Sequence, residues 1–200
     1  MSQSTPSVKE CILVVDVDGT LIPVLIDFEK LRDEIRRLIR VKHPLRPLGE
    51  SLATLNVSNN LKREAWSLIE RAELESLNKL RVEDVQENVE SLARAARTGA
   101  RVVLVSMRSR ASVEQVISML RLNGVVSLVV ARDHSPSRLG QLRLVLETYP
   151  SSRVVFLGDT AYDEEAARAL DIGFIMVKDY KYFSTALEKA LEVCRQSSTQ

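Results

Sequence analysis

Net charge is nearly absent from this chain: 28 basic residues against 27 acidic ones leave +1 over 200 positions, with the two signs interspersed. Such a balance supplies no broad attraction for a phosphate backbone or an anionic lipid surface, so nucleic acid and membrane are excluded as first readings of its partners. Cysteine is equally scarce. Cys11 and Cys194 stand near opposite ends, show no metal-ligand spacing and are too few for a small disulfide-built domain, a usage that points to a reducing compartment. Long apolar runs are missing too. The stretch Ile12–Val15 is cut short by Asp16 and residues 1–9 are polar, so neither a signal peptide nor a spanning helix fits, and a cytoplasmic protein is expected. No internal repeat and no low-complexity tract occurs. What is present is a 45% hydrophobic content, which excludes disorder and suits an ordinary globular chain.

At this length one core of moderate size is expected, with room for a small second lobe. Cys11–Asp16 is a short continuous apolar run ended by the turn signal Asp18-Gly19, the pattern of a buried parallel strand. From Arg101 onward the chain alternates. Strands are predicted at 101–106, 125–131, 153–158 and 173–177, and helices at 111–122, 139–149, 163–170 and 183–194. Strand–helix alternation with apolar strands predicts an α/β fold, a Rossmann-like three-layer core around a parallel sheet. Between the first two strands roughly eighty residues pass without a strand, too long for a simple loop. There Phe28, Leu31, Ile35, Leu38 and Ile39 share one helical face, as do Leu61, Ala65, Leu68, Ile69 and Ala72, and again Val85, Val89, Leu92 and Ala96. An inserted α-helical lobe is predicted over 22–98, with the core formed by 1–21 and 99–200. Asn59-Asn60 reads as a helix start, and the tail 196–200 is expected to fray.

The chemistry gathers at strand ends. Asp16-Val17-Asp18-Gly19-Thr20 follows the first strand directly; carboxylates two apart alternate faces within a strand, but a chain that turns at Gly19 can aim both at one point. A second acidic pair, Gly158-Asp159 and Asp163, follows the fourth strand. Ser106-Met107 follows the second. The crevice beyond the carboxyl ends of parallel strands is where open α/β sheets bind ligands. If the second and fourth strands flank the first, Asp16, Ser106 and Asp159 meet there, with backbone N–H groups near Ser106 open to an anion. Clustered carboxylates repel and need a cation, and an all-oxygen ligand set suits Mg²⁺.

The order Asp-x-Asp-Gly-Thr, helical insertion, Ser, then Gly-Asp-x-x-x-Asp resembles the haloacid dehalogenase superfamily, in its phosphoglycolate phosphatase-like branch with a type 1 helical cap. The resemblance covers most of the chain. It implies that Asp16 is the nucleophile that takes a phosphoryl group, and that Asp18 is the acid and then the base, its backbone carbonyl also meeting the metal. It implies a Mg²⁺ set of Asp16, Asp18, Asp159 and Asp163, with Ser106 bonding the transferring group and Thr20 and Met107 beside it. Arg46, in the connection 43–51, could reach from the cap toward the non-phosphate end of the substrate. The acid at 18 separates the chain from the dehalogenase, phosphonate-cleaving and ion-pumping branches, leaving phosphatase or phosphomutase. One position departs from the pattern. The family places a Lys ahead of the fourth strand, whereas 132–141 contains none; Arg138 is the substitute chosen, against Arg132 or a surface Arg.

The expected function is therefore a Mg²⁺-dependent phosphatase acting on a small phosphorylated metabolite. The alternatives are a sugar phosphomutase with the same residues and a catalytically weak binding or regulatory module, which the missing Lys favours. Asp163 taken alone could also be a helix N-cap, while His43 and His134 read as loop residues and Trp66 as packing.

Overall fold

A computed structural model describes residues 10–196. The polar N-terminal stretch and the last four residues of the tail, on which expectations were stated, lie outside them. Five parallel strands form one sheet: β1 (Cys11–Asp16), β2 (Arg101–Val105), β3 (Val126–Val130), β4 (Arg153–Gly158) and β5 (Gly173–Met176), in the order β3-β2-β1-β4-β5. The α/β reading of the sequence holds, and each core strand falls within two residues of its predicted span. Eight α-helices accompany them among the described residues: α1 (Phe28–Ile39), α2 (Leu48–Thr54), α3 (Asn59–Ser76), α4 (Gln86–Arg97), α5 (Arg110–Met119), α6 (Arg138–Thr148), α7 (Ala161–Ala169) and α8 (Phe183–Gln196).

Strand β1 is the centre of the molecule, paired on both sides, and its alternate residues enter two different cores. Leu13 and Val15 pack with Leu104, Leu157 and the apolar faces of α4, α5 and α8. Ile12 and Val14 pack with Val103, Phe156 and the faces of α6 and α7. Both faces being covered explains why the strand reads as an unbroken apolar run. Each fully buried Val, Leu or Ile here contributes about 1.5 to 3 kcal/mol.

The segment predicted as one helical lobe divides between cores. Leu31, Ile35 and Ile39 of α1, Leu45, Leu52 of α2, and Ala65 and Ile69 of α3 form a third cluster of their own. Helix α4 does not join it. Its Leu92 and Ala95, with Leu77, Leu80 and Val85 of the preceding turns, are buried in the sheet's core beside α8. The 3.6-residue period that found α4 identifies an apolar face but not its partner. The start signal at Asn59-Asn60 is displaced by one residue, since Ser58 is the N-cap of α3 and accepts from the Leu61 N–H.

The cysteines require a correction. Cys11 on β1 and Cys194 on α8 are joined by a disulfide, their Cα atoms 5.7 Å apart across a sequence separation of 183. Distance along the chain gave no hint of it because α8 folds back onto β1 and β4. The pairing removes the ground on which a reducing compartment was expected. No helix among the described residues is long and apolar enough to cross a membrane.

Candidate active site

The register of the sheet assembles the site. Asp16 ends β1 opposite Val105 of β2, and Val15 lies opposite Leu157 of β4. Ser106 and Asp159, each the first or second residue beyond that row, therefore emerge on either side of Asp16. This lies where the strand order reverses, β2 leading one way from β1 and β4 the other.

Beyond β1 the chain turns sharply. Gly19 takes φ +81°, in the left-handed region that glycine adopts without strain, and donates its N–H to Ile22 O at 2.7 Å. A Cβ at this position would also run into the Asp159 carboxylate. Gly158 meets a parallel demand, because a Cβ there would fall 2.8 Å from Asp163 Cβ and push the first turn of α7 off the strand end.

Asp163 is held by a capping box. The Thr160 hydroxyl accepts from the Asp163 N–H, while Asp163 Oδ2 accepts from the Thr160 N–H at 3.2 Å and from its hydroxyl at 2.6 Å. Thr160 is thus the N-cap, and Asp163 stands three residues in as its reciprocal partner. That arrangement leaves Asp163 Oδ1 facing the cluster.

Carboxylate oxygens of Asp16, Asp159 and Asp163 come within 4.8 Å of one another. Arg138, buried in the first turn of α6, reaches between them: Nε donates to Asp163 Oδ1 at 2.6 Å and Nη2 to Asp16 Oδ1, while Nη1 donates to Gln141 Oε1 at 2.8 Å. Its guanidinium also lies over the Phe156 ring, 5.6 Å from the centroid. The cation facing the cluster is therefore Arg138. Arg132, the other candidate, is engaged elsewhere, with Glu73 and with the Met107 carbonyl at 2.7 Å.

Three carboxylates against one guanidinium leave two negative charges uncompensated in a buried place. Burial holds the Asp16 carboxyl well above the ordinary range against the pull of Arg138, with Asp163 and Asp159 adding repulsion. Burial and the Asp163 charge push Asp159 up to about 6. An all-oxygen donor set with this excess of negative charge fits a hard divalent cation.

The Asp18 carboxylate does not enter this trio. Both its oxygens face Arg108, whose Nε donates to Oδ2 at 2.7 Å and Nη2 to Oδ1 at 2.8 Å. Ser106 is buried, and its hydroxyl accepts from the Arg108 N–H at 3.1 Å. Its own N–H is taken by Val130 O, so that amide is not among those open to an anion. Thr20 is fully buried, and its hydroxyl has no partner among the described residues. Met107 is half-buried between Gln141 and Gly49 at the start of α2. Arg46 is not brought to the cluster: it lies 64% exposed on the cap, paired with Glu29 of α1. His43 and His134 each accept a nearby backbone N–H within their loops.

Arg108 and Glu73 are the residues the sequence did not single out. Arg108 follows Ser106 by two and reads as a loop cation; Glu73 sits on a helix whose Glu64 and Glu75 are exposed. Only long-range packing shows that both are buried.

The model of the haloacid dehalogenase-like hydrolase family matches residues 32–177. No curated protein matches the chain by sequence. Among solved structures, a haloacid dehalogenase-like family hydrolase of Streptococcus pneumoniae is similar at 15% identity and TM-score 0.56, over 96% of this chain and 99% of that one. A haloacid dehalogenase-like family hydrolase of Xanthomonas campestris is similar at 15% identity and TM-score 0.56, over 96% and 97%. At these identities the two structures speak for the fold, and the family model speaks for the lineage. With most of its length inside that model and its acidic cluster at the switch point of the sheet, the chain belongs to the haloacid dehalogenase-like hydrolases.

Proposed function

We propose that the protein is a Mg²⁺-dependent phosphatase that hydrolyses a small phosphate monoester through a phosphorylated Asp16. The observation that carries this reading is the placement of Asp16 between a buried guanidinium and two further carboxylates at the strand ends. In this reading an Asp16 carboxylate oxygen attacks phosphorus as the bond to the leaving oxygen breaks, and Asp18, entering the step protonated with one oxygen turned away from Arg108, delivers its proton to that oxygen. Water then attacks the phosphorus of the aspartyl-phosphate, Asp18 takes the proton, and the bond to Asp16 breaks to release phosphate. Arg138 holds the attacking carboxylate in place and offsets its charge. Asp16, Asp159, Asp163 and the backbone carbonyl of Asp18 would hold Mg²⁺, which when bound neutralises the anionic nucleophile and phosphoryl group.

A small substrate is supported by the lobe of α1–α3 beside the crevice. Between that lobe and the core lies a cleft of about 600 Å³ lined by Lys62 and Trp66 on one side and by Ser109, Arg132 and Pro136 on the other, none of them a member of the acidic cluster. The reading as a binding module rested on the missing Lys, and Arg138 supplies a cation facing Asp16. The test is hydrolysis of p-nitrophenyl phosphate by wild type and Asp16→Asn, each with Mg²⁺ and with EDTA. Metal-dependent turnover that falls about a thousandfold or more in Asp16→Asn supports the reading. Equal turnover by both proteins would overturn it.

A further inference from the structure

Arg108 is among the largest fully buried side chains, its side chain only 2% exposed. A buried guanidinium is tolerated where its donors are matched, and here all five N–H bonds have acceptors. Nε and Nη2 grip the Asp18 carboxylate. Nη1 donates to the Glu73 carbonyl and to the Ser112 hydroxyl, both at 3.0 Å, and Nη2 also donates to the Ser76 hydroxyl at 3.3 Å. Two of these acceptors belong to the last turn of α3, the helix that closes the inserted lobe. That turn is moored to the core a second time. The Glu73 carboxylate, 3% exposed, accepts from the Ser109 N–H at 2.8 Å and pairs with Arg132. Arg132 in turn lies over the Trp66 ring of α3, 4.9 Å from its centroid.

The arrangement is costly for a merely structural joint. Four charged side chains are withdrawn from water at one junction, where apolar residues of similar volume would hold the helix at least as well. What the charges add is geometry. A forked guanidinium fixes a carboxylate in plane and direction, and this fork has only one carboxylate, Asp18, two residues past the nucleophile position.

We propose that Arg108 is the positioning residue for Asp18: it sets the direction of the acid–base carboxylate and ties that direction to the end of α3. The inference rests on the phosphatase reading, in which Asp18 protonates the leaving oxygen. Asp18 reaches the substrate only as far as Arg108 lets its carboxylate turn, and the mooring of Arg108 to the Glu73 carbonyl and Ser76 makes that freedom a property of the lobe's position. Arg108 itself touches no reacting atom.

The test compares two substrates that differ in their need for a proton: glycerol phosphate, whose alkoxide leaves poorly without one, and p-nitrophenyl phosphate, whose phenolate leaves unaided. Asp18→Asn sets the reference, and Arg108→Lys keeps the charge but loses the fork. The expected result is that Arg108→Lys lowers kcat at least about tenfold more on glycerol phosphate than on p-nitrophenyl phosphate, as Asp18→Asn does. The double variant should cost little more than Asp18→Asn alone, since the two residues act as a unit. Ser76→Ala and Ser112→Ala each remove one acceptor of Arg108 without stranding a charge, and both should show the same substrate-dependent loss in smaller measure. That pair decides the matter if Arg108→Lys does not fold.

Equal losses on both substrates across the Arg108, Ser76 and Ser112 variants, beside an Asp18→Asn that does discriminate, would overturn the inference and leave the phosphatase reading standing. A wild type inert toward both substrates would overturn both.

Discussion

At the residue scale the site is a problem of charge placed where water is scarce. Asp159 carries the clearest consequence, because its carboxyl is pushed up to about 6 by burial and by the neighbouring Asp163 charge. A carboxylate whose pKa is raised on folding favours the folded state while protonated, so the metal-free protein should lose stability as pH rises from about 4 through about 6. A divalent cation reverses the sign, since it binds the ionised form. Mg²⁺ affinity, followed by calorimetry, should therefore weaken as pH falls through about 6, with protons released on binding below that value. A flat affinity between pH 5 and 8, each taken as a rough bound, would contradict the assignment of Asp159 as a ligand. Gly19 offers a second check of the same residue. Gly19→Ala places a methyl both in the left-handed region and against the Asp159 carboxylate, and should weaken metal binding as well as stability.

At the scale of elements, the first turns of helices do most to aim the side chains. Helix α6 begins with Arg138 behind the Ser137 cap, and α7 begins with the Thr160–Asp163 box. Thr160→Ala removes the cap of α7 and should cost about 1 kcal/mol, a fall of about 2 to 4 °C in Tm, while Thr160→Ser should recover most of it. Because the same hydroxyl holds Asp163 Oδ2, the loss should also appear in metal affinity. These elements were largely legible in the sequence. Strands buried on both faces are continuous apolar runs, and β1 and β4 were read at the bounds they have. Less legible was the allegiance of α4, whose amphipathic face suits a lobe of helices as well as a sheet. The strand that ends in Asp16, the acidic pairs and the basic residue near Asp16 were visible as residues at strand and helix ends. Arg46 misled because a basic residue in a connection has no periodicity to place it; it lies on the outer surface with Glu29. Arg108 and Glu73 went unread because their ion pairs join residues far apart in the chain, Arg108 with Asp18 at a separation of 90 and Glu73 with Arg132 at 59, and leave no local pattern.

Across the whole molecule, the disulfide closes the chain near its two ends, tying the strand that carries Asp16 to the last helix. A loop of this length removes a large share of the unfolded chain's freedom, and the stabilisation should be about 3 to 5 kcal/mol. Reduction, or Cys194→Ser, should lower Tm by about 10 °C in a protein of this size. A melting curve unchanged by reductant would show that the pairing adds nothing. The sequence concealed this link because two cysteines far apart look unrelated until α8 is seen to return to the sheet. The same return closes the core around α4, with Asn88 donating to the carbonyls of Leu21 and Tyr180 at 3.0 and 2.9 Å. That contact joins the turn after Asp18 to the chain just ahead of α8, so the stability of the frame and the shape of the site are parts of one packing arrangement.

In the phosphatase reading Asp16 becomes phosphorylated during turnover. The most direct measurement is to quench the enzyme in acid during turnover of a phosphate monoester with Mg²⁺, reduce with borohydride and map the peptides by mass spectrometry. An acyl phosphate at Asp16 is reduced to the homoserine side chain, and that change is expected at position 16, absent with EDTA and absent without substrate. Modification at another carboxylate, or steady turnover with position 16 untouched, would contradict it.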